Sequence, residues 1–107
     1  MTIQINTDHS LHGSASELNQ TVTALLTRSL DRFSSELTRV EVHLGDENGV
    51  DKKGADDKRC VLEARLPGHA PLVVTHHAAT VGQALDGGVD RLKRLLENTF
   101  DRRKNHR

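Results

Sequence analysis

The feature that most constrains the fold of this chain is a change in the period of its apolar residues. Two stretches repeat every three or four positions, and four shorter stretches alternate. A one-faced helix and a one-faced strand each bury their apolar side only by packing on another element. Leu18, Val22, Leu25, Leu26, Leu30 and Phe33 share one helical face, which predicts a first helix running to about Phe33 or Leu37. Val81, Leu85, Val89, Leu92, Leu95, Leu96 and Phe100 line the inner face of a second. Ile3 and Ile5 alternate with polar neighbours as a first strand, and Val40, Val42 and Leu44 do so as a second. Cys60, Leu62, Ala64 and Leu66 mark a third strand, and residues 72–76 a fourth.

Local signals divide these segments. Ser14-Ala15-Ser16-Glu17 has the spacing of a capping box, and Thr80, with Gln83 three positions on, caps the second helix. Pro67-Gly68 predicts the turn between the last two strands. Residues 45–58 have no periodicity and dense mixed charge, so a flexible loop is expected there. The order is then β-α-β-β-β-α. A right-handed crossover makes the first two strands parallel neighbours, and the next three form an antiparallel meander. Both helices cover one sheet face, leaving Arg39, Glu41, His43, Glu63, Arg65 and Thr75 on the solvated face. The expected fold is a two-layer α+β sandwich with a four-stranded sheet. Gly82, Gly87 and Gly88 fall inside the second helix, each at a cost of about 1 kcal/mol relative to Ala. With Gly88 on the inner face and Ser29 on the first helix's apolar stripe, these small residues are expected to let the two helices approach closely.

A chain of 107 residues is read as one domain, 1–107, with a basic segment at 101–107 that is free to be flexible. No apolar run approaches the roughly 20 residues of a membrane span, and the single Cys60 cannot close an intramolecular disulfide. A cytoplasmic protein is expected. Trp and Tyr are absent and only Phe33 and Phe100 are aromatic, which argues against recognition of stacked bases.

Charge narrows the function. The chain is neutral overall, with 15 basic and 15 acidic groups, yet residues 91–107 hold seven basic groups against two acids. That end is therefore +5 and the remaining ninety residues −5. Such asymmetry presents a positive face to a polyanion. On a helix of about 100° per residue, Arg91, Arg94, Asn98 and Arg102 follow one line, while Asp86, Asp90, Glu97 and Asp101 lie nearer the other flank. Arg28 and Arg32 stand beside the first helix's apolar stripe. If the helices pack side by side, these arginines edge one groove. Arginine suits phosphate through its planar, multi-donor head. The competing reading is a helix whose terminal cations merely complement its dipole and solubilise its surface.

Other chemistries find little support. The seven histidines (His9, His12, His43, His69, His76, His77 and His106) and Cys60 lack metal-ligand spacing. Neighbouring His76 and His77 point to opposite faces of a strand, and Cys60 alternates into the core. Asp46-Glu47-Asn48-Gly49 lacks the spacing of a calcium loop. No nucleophile stands in a recognisable catalytic motif. No cofactor, metal or small-molecule substrate is expected, and the chain is read as a non-enzyme.

Several segments, taken in order, carry a family resemblance. They are Asp46-Glu47-Asn48-Gly49, Asp57-Lys58-Arg59-Cys60, Glu63-Ala64-Arg65-Leu66-Pro67-Gly68, and Ala84-Leu85-Asp86-Gly87 followed by Asp90-Arg91-Leu92-Lys93-Arg94. Together they resemble the ribosome hibernation-promoting factors, also called ribosome-associated inhibitors or sigma-54 modulation proteins, which are bacterial stress-response proteins. The resemblance implies a fold similar to double-stranded RNA-binding domains. It also implies binding to 16S ribosomal RNA in the decoding channel of the small ribosomal subunit, and so to the whole ribosome. By position, the basic contacts carry over to Arg28, Arg32, Arg91, Lys93, Arg94, Arg102, Arg103 and Lys104. Occupying that channel would block translation and stabilise idle ribosomes. Gly82-Gln83-Ala84 stands where many members have Tyr-Ala-Ala, so any contact by that tyrosine is lost. The chain ends like the short members, which either promote ribosome dimers with a separate small partner or hold single ribosomes inactive. The alternatives from the residues alone are a generic structured-RNA-binding module and a transcription-regulating protein-interaction domain that uses the solvated sheet face.

Overall fold

The computed structural model describes residues 1–7, 15–46 and 58–105. Their order is β1 (Thr2–Thr7), α1 (Ala15–Ser29), a 3-10 turn (Asp31–Phe33), β2 (Arg39–Asp46), β3 (Lys58–Arg65), β4 (Leu72–Ala78) and α2 (Val81–Asn105). The strands form one sheet in the order β1-β2-β3-β4, with β1 parallel to β2 and the later pairs antiparallel. Register follows the alternation read from the sequence. Ile3 and Ile5 lie opposite Val40 and Val42, and Val42 opposite Leu62, which in turn faces Val74. Val22, Leu26, Leu30, Leu85, Leu92 and Leu96 join this sheet face in one buried core. The other face carries Arg39, Glu41, His43, Glu63 and Arg65, so the two-layer α+β sandwich is the observed architecture.

Caps and turns follow their local chemistry. The Gln83 amide donates to the Thr80 hydroxyl at 3.1 Å, satisfying a free N–H of the first turn of α2. Gly68 takes φ +71°, the left-handed conformation that glycine adopts most easily, and so closes the turn after Pro67. Ser14 of the expected capping box and residues 47–57 of the expected loop lie outside the described residues. At the base of that connection, Lys58 donates to Asp46 at 3.1 Å.

Two expectations need correction. First, α1 stops at Ser29 rather than near Phe33 or Leu37. Leu30 leaves helical geometry at φ −107°, ψ 14°, and Phe33 donates to Leu30 across the short turn at 2.9 Å. The apolar period persists because this turn carries both Phe33 and Leu37 into the core. There Phe33 stacks on Phe100, with ring centroids 5.3 Å apart.

Second, the glycines of α2 seat the helix on the sheet, not against α1. A methyl on Gly88 would stand 3.1 Å from Cys60 Sγ and 3.4 Å from Leu62 Cδ1, both on β3. One on Gly87 would overlap the imidazole of His76 on β4. Gly82 has nothing within 4 Å. Periodicity places a glycine on a helix's inner face but does not say which element that face meets.

Candidate nucleic-acid interface

The polar side of α2 presents its arginines in two settings. Spacings of three and four put Arg91, Arg94 and Asn98 on one flank, and Arg102 continues the line one turn further. With Leu95, the first three form one wall of an open groove of about 530 Å³. Val73, Val74 and Thr75 of β4 form the other wall. Arg94 pairs with Asp90 at 2.9 Å, but both side chains are mostly exposed, and such a pair contributes only about 0–1 kcal/mol. Among the described residues, Arg91 and Arg102 have no ion-pair partner. This flank therefore keeps its positive charge.

The inter-helix groove expected from the sequence is not where this row lies. Arg91 and Arg94 border β4. Arg32 instead reaches Glu97 on the opposite flank of α2, donating at 3.3 Å, with its guanidinium carbon 4.8 Å from the Phe33 ring centre. Lys93, half-buried, lies on that same Glu97 side of the helix. Arg28 is exposed in the last turn of α1, with no ion-pair partner among the described residues. The side chains of Arg103 and Lys104 lie outside the described residues, although both positions belong to the α2 helix. The proposed basic set thus divides across α2. Arg91 and Arg94 stand on the β4 side, with Arg102 further along the same helical line, and Arg32 and Lys93 on the side of Glu97.

The open sheet face has the opposite electrostatic character. Glu41 draws Arg65 at 3.4 Å and Arg39 at 3.6 Å, with His43 at 3.9 Å. Arg65 also meets Glu63 at 3.3 Å. Arg39 and Arg65 are thus compensated by carboxylates of their own sheet, which leaves little of their field to attract a polyanion.

Neither aromatic ring offers a platform for bases, because Phe33 and Phe100 stack on each other. Cys60 is fully buried, and desolvation pushes its thiol up to about 12, so it stays protonated and unreactive at neutral pH. His76 lies against Gly87 while His77 is exposed, as alternation along the strand requires. Among the described residues no group of three or more His, Cys, Asp or Glu is placed to hold a metal ion. Likewise, no helix among them is long and apolar enough to cross a membrane. His9, His12 and His106 lie outside the described residues.

Sequence reasoning missed the β4 wall. Val73 falls on the solvated side of its strand, yet it is apolar and 55% exposed. The signal was present in Leu72-Val73-Val74, three apolar residues in a row where strict alternation would put a polar one in the middle.

Comparison with known proteins adds three findings. The family model for sigma 54 modulation protein / S30EA ribosomal protein matches residues 4–104. The N-terminal domain of Protein Y from Thermus thermophilus superposes with a TM-score of 0.67 at 20% identity, covering 92% of this chain and 99% of that one. A ribosomal subunit interface protein from Coxiella burnetii gives a TM-score of 0.67 at 14% identity, covering 94% and 99%. At such identities these two structures establish a shared fold. A search of curated proteins finds no match.

Proposed function

The chain belongs to the sigma 54 modulation protein / S30EA ribosomal protein family, and on that premise we propose that it is a ribosome-associated hibernation factor. It docks its basic helix surfaces on 16S ribosomal RNA in the decoding channel of the small subunit and holds the ribosome inactive. The observation that carries this reading is the contrast between the two faces. Arg39 and Arg65 on the sheet are neutralised by Glu41 and Glu63, whereas among the described residues Arg91 and Arg102 on α2 have no ion-pair partner and Arg94 is held only by an exposed one. Phosphate contacts need cations that surrender little when they bind, and α2 supplies them. The mechanism is steric and electrostatic, with no bond made or broken. Recognition rests on backbone phosphates and RNA shape, consistent with the internal use of both phenyl rings.

The test is sedimentation of the purified chain with whole ribosomes and separated subunits at two salt concentrations. Binding to the small subunit and whole ribosome, weakening as salt rises, is the expected outcome. Arg91→Glu, Arg94→Glu and Arg102→Glu together should abolish it while leaving the fold intact. Undiminished co-sedimentation of that folded variant would refute the assigned surface. Equal affinity for any duplex RNA would favour a generic RNA-binding module instead. The same gradients report whether ribosome dimers form, and whether a separate partner protein is needed for them.

A further inference from the structure

The sheet ends at β4, whose outer edge pairs with no other strand among the described residues. An uncovered edge exposes backbone N–H and C=O groups ready to pair with another extended chain. Proteins usually guard such edges with charged residues or proline, but β4 reads Leu-Val-Val-Thr-His-His-Ala, with neither. Beside this edge lies the groove described above, with apolar surface from Val73 and Leu95 and cationic groups from Arg91 and Arg94. Val73 is 55% exposed on the open side of the strand. At the other edge, β1 buries Ile3 and Ile5 in part and exposes only polar side chains apart from the terminal Met1.

We infer that β4 and α2 form a docking site for an extended acidic segment of a partner protein, which adds to the sheet as a fifth strand. Charge selects this occupant. A second copy pairing β4 to β4 would bring Arg91 of both chains, which has no ion-pair partner among the described residues, onto one face beside the two Arg94 guanidiniums, whose Asp90 partners only partly offset them. An acidic strand instead places carboxylates opposite them. An RNA backbone would use the guanidiniums, and its phosphates can accept from amide N–H groups, but it cannot continue the strand's alternating N–H and C=O ladder and gains nothing from Val73 and Leu95. Because side chains alternate along a strand, the fitting sequence alternates too. Carboxylates on the helix side meet Arg91 and Arg94, and β-branched residues on the open side cover Val73. Strand addition supplies affinity through main-chain hydrogen bonds and selectivity through alternate side chains. Arg91 and Arg94 also belong to the row proposed for ribosomal RNA, so the two ligands compete there. Continued strand pairing along β4 and the cover over Val73 serve only the peptide.

The experiment titrates the intact chain with a blocked seven-residue peptide of alternating Glu and Val, followed by amide chemical shifts. Expected are saturable shifts at residues 72–76 and 91–98. Affinity should fall about tenfold or more in Arg91→Glu/Arg94→Glu and in Val73→Lys. A peptide with alternating Lys and Val should not bind, nor should the Glu/Val peptide N-methylated along one edge, a control that needs no protein variant. Equal binding of the N-methylated peptide would overturn the proposal, since strand pairing would then be irrelevant. Shifts confined to the open sheet face would overturn it as well. So would an RNA oligomer that shifts residues 72–76 where the peptide does not, or dimerisation of the chain alone that buries Val73. Ribosome sedimentation reads the hibernation proposal separately, so either can fail without the other.

Discussion

Gly88→Ala tests how closely α2 sits on the sheet. In an open helix interior, replacing Gly by Ala stabilises by about 1 kcal/mol. At Gly88 the added methyl meets Cys60 Sγ at 3.1 Å and Leu62 Cδ1 at 3.4 Å. Both of those side chains are fully buried within the core, so giving way means displacing other core residues. Overpacking of a core of this kind costs about 1–3 kcal/mol, so the net expectation is a loss of about 1 kcal/mol. Gly82→Ala is the internal control. With nothing within 4 Å of the new methyl, it should stabilise by about 0.5–1 kcal/mol. The chain has no Trp or Tyr, so urea denaturation should be followed by far-ultraviolet circular dichroism. A double-mutant cycle isolates the cause. Cys60→Ala removes Sγ and leaves Cβ at an ordinary 3.6 Å, so it should recover about 1 kcal/mol in the Gly88→Ala background. If Gly88→Ala stabilised as much as Gly82→Ala, or if the coupling were zero, the close approach would not depend on the missing methyl.

The buried thiol sets a stability change at high pH. An exposed Cys60 would ionise at about its ordinary 9.0, whereas the folded one stays protonated to about 12. Stability present below pH 9 should therefore drop between pH 9 and 12 by about 1.4 kcal/mol per pH unit, a slope absent from Cys60→Ala when the two are compared by urea melts. Thr80→Ala removes the acceptor for the Gln83 amide and should cost about 1 kcal/mol in the same assay. Glu97→Gln releases Arg32 from an exposed pair and should change stability by less than about 1 kcal/mol. If Arg32 contacts phosphate, the same variant should bind ribosomes more tightly at low salt in sedimentation, and weaker binding would count against that role.

Much of the architecture was legible because it rests on near-neighbour chemistry. Alternation at Val40, Val42 and Leu44 gave the buried side of β2, and the same pattern at Cys60, Leu62 and Ala64 gave that of β3. Thr80 and Gly68 announced a cap and a turn through interactions spanning only a few residues. The line of Arg91, Arg94 and Asn98 followed from helical spacing alone. The end of α1 was not legible, because Leu30, Phe33 and Leu37 continue the apolar pattern whether or not the backbone stays helical. The pattern records which side chains are buried, and a tight turn can satisfy it as well as another helical turn.

By itself, the sequence determined the element order, the inward face of each element and the concentration of cations at the C-terminal end. Each of these follows from periodicity or local composition, which act over one or two turns of chain. Only the tertiary structure decided what the inward and flanking residues meet. Gly88 faces Cys60 rather than α1, Arg32 is drawn to Glu97, and Arg91 and Arg94 look onto the edge of β4. Those meetings depend on how α2 sits over β3 and β4. That placement is set by contacts between residues far apart in the chain, which no local pattern encodes.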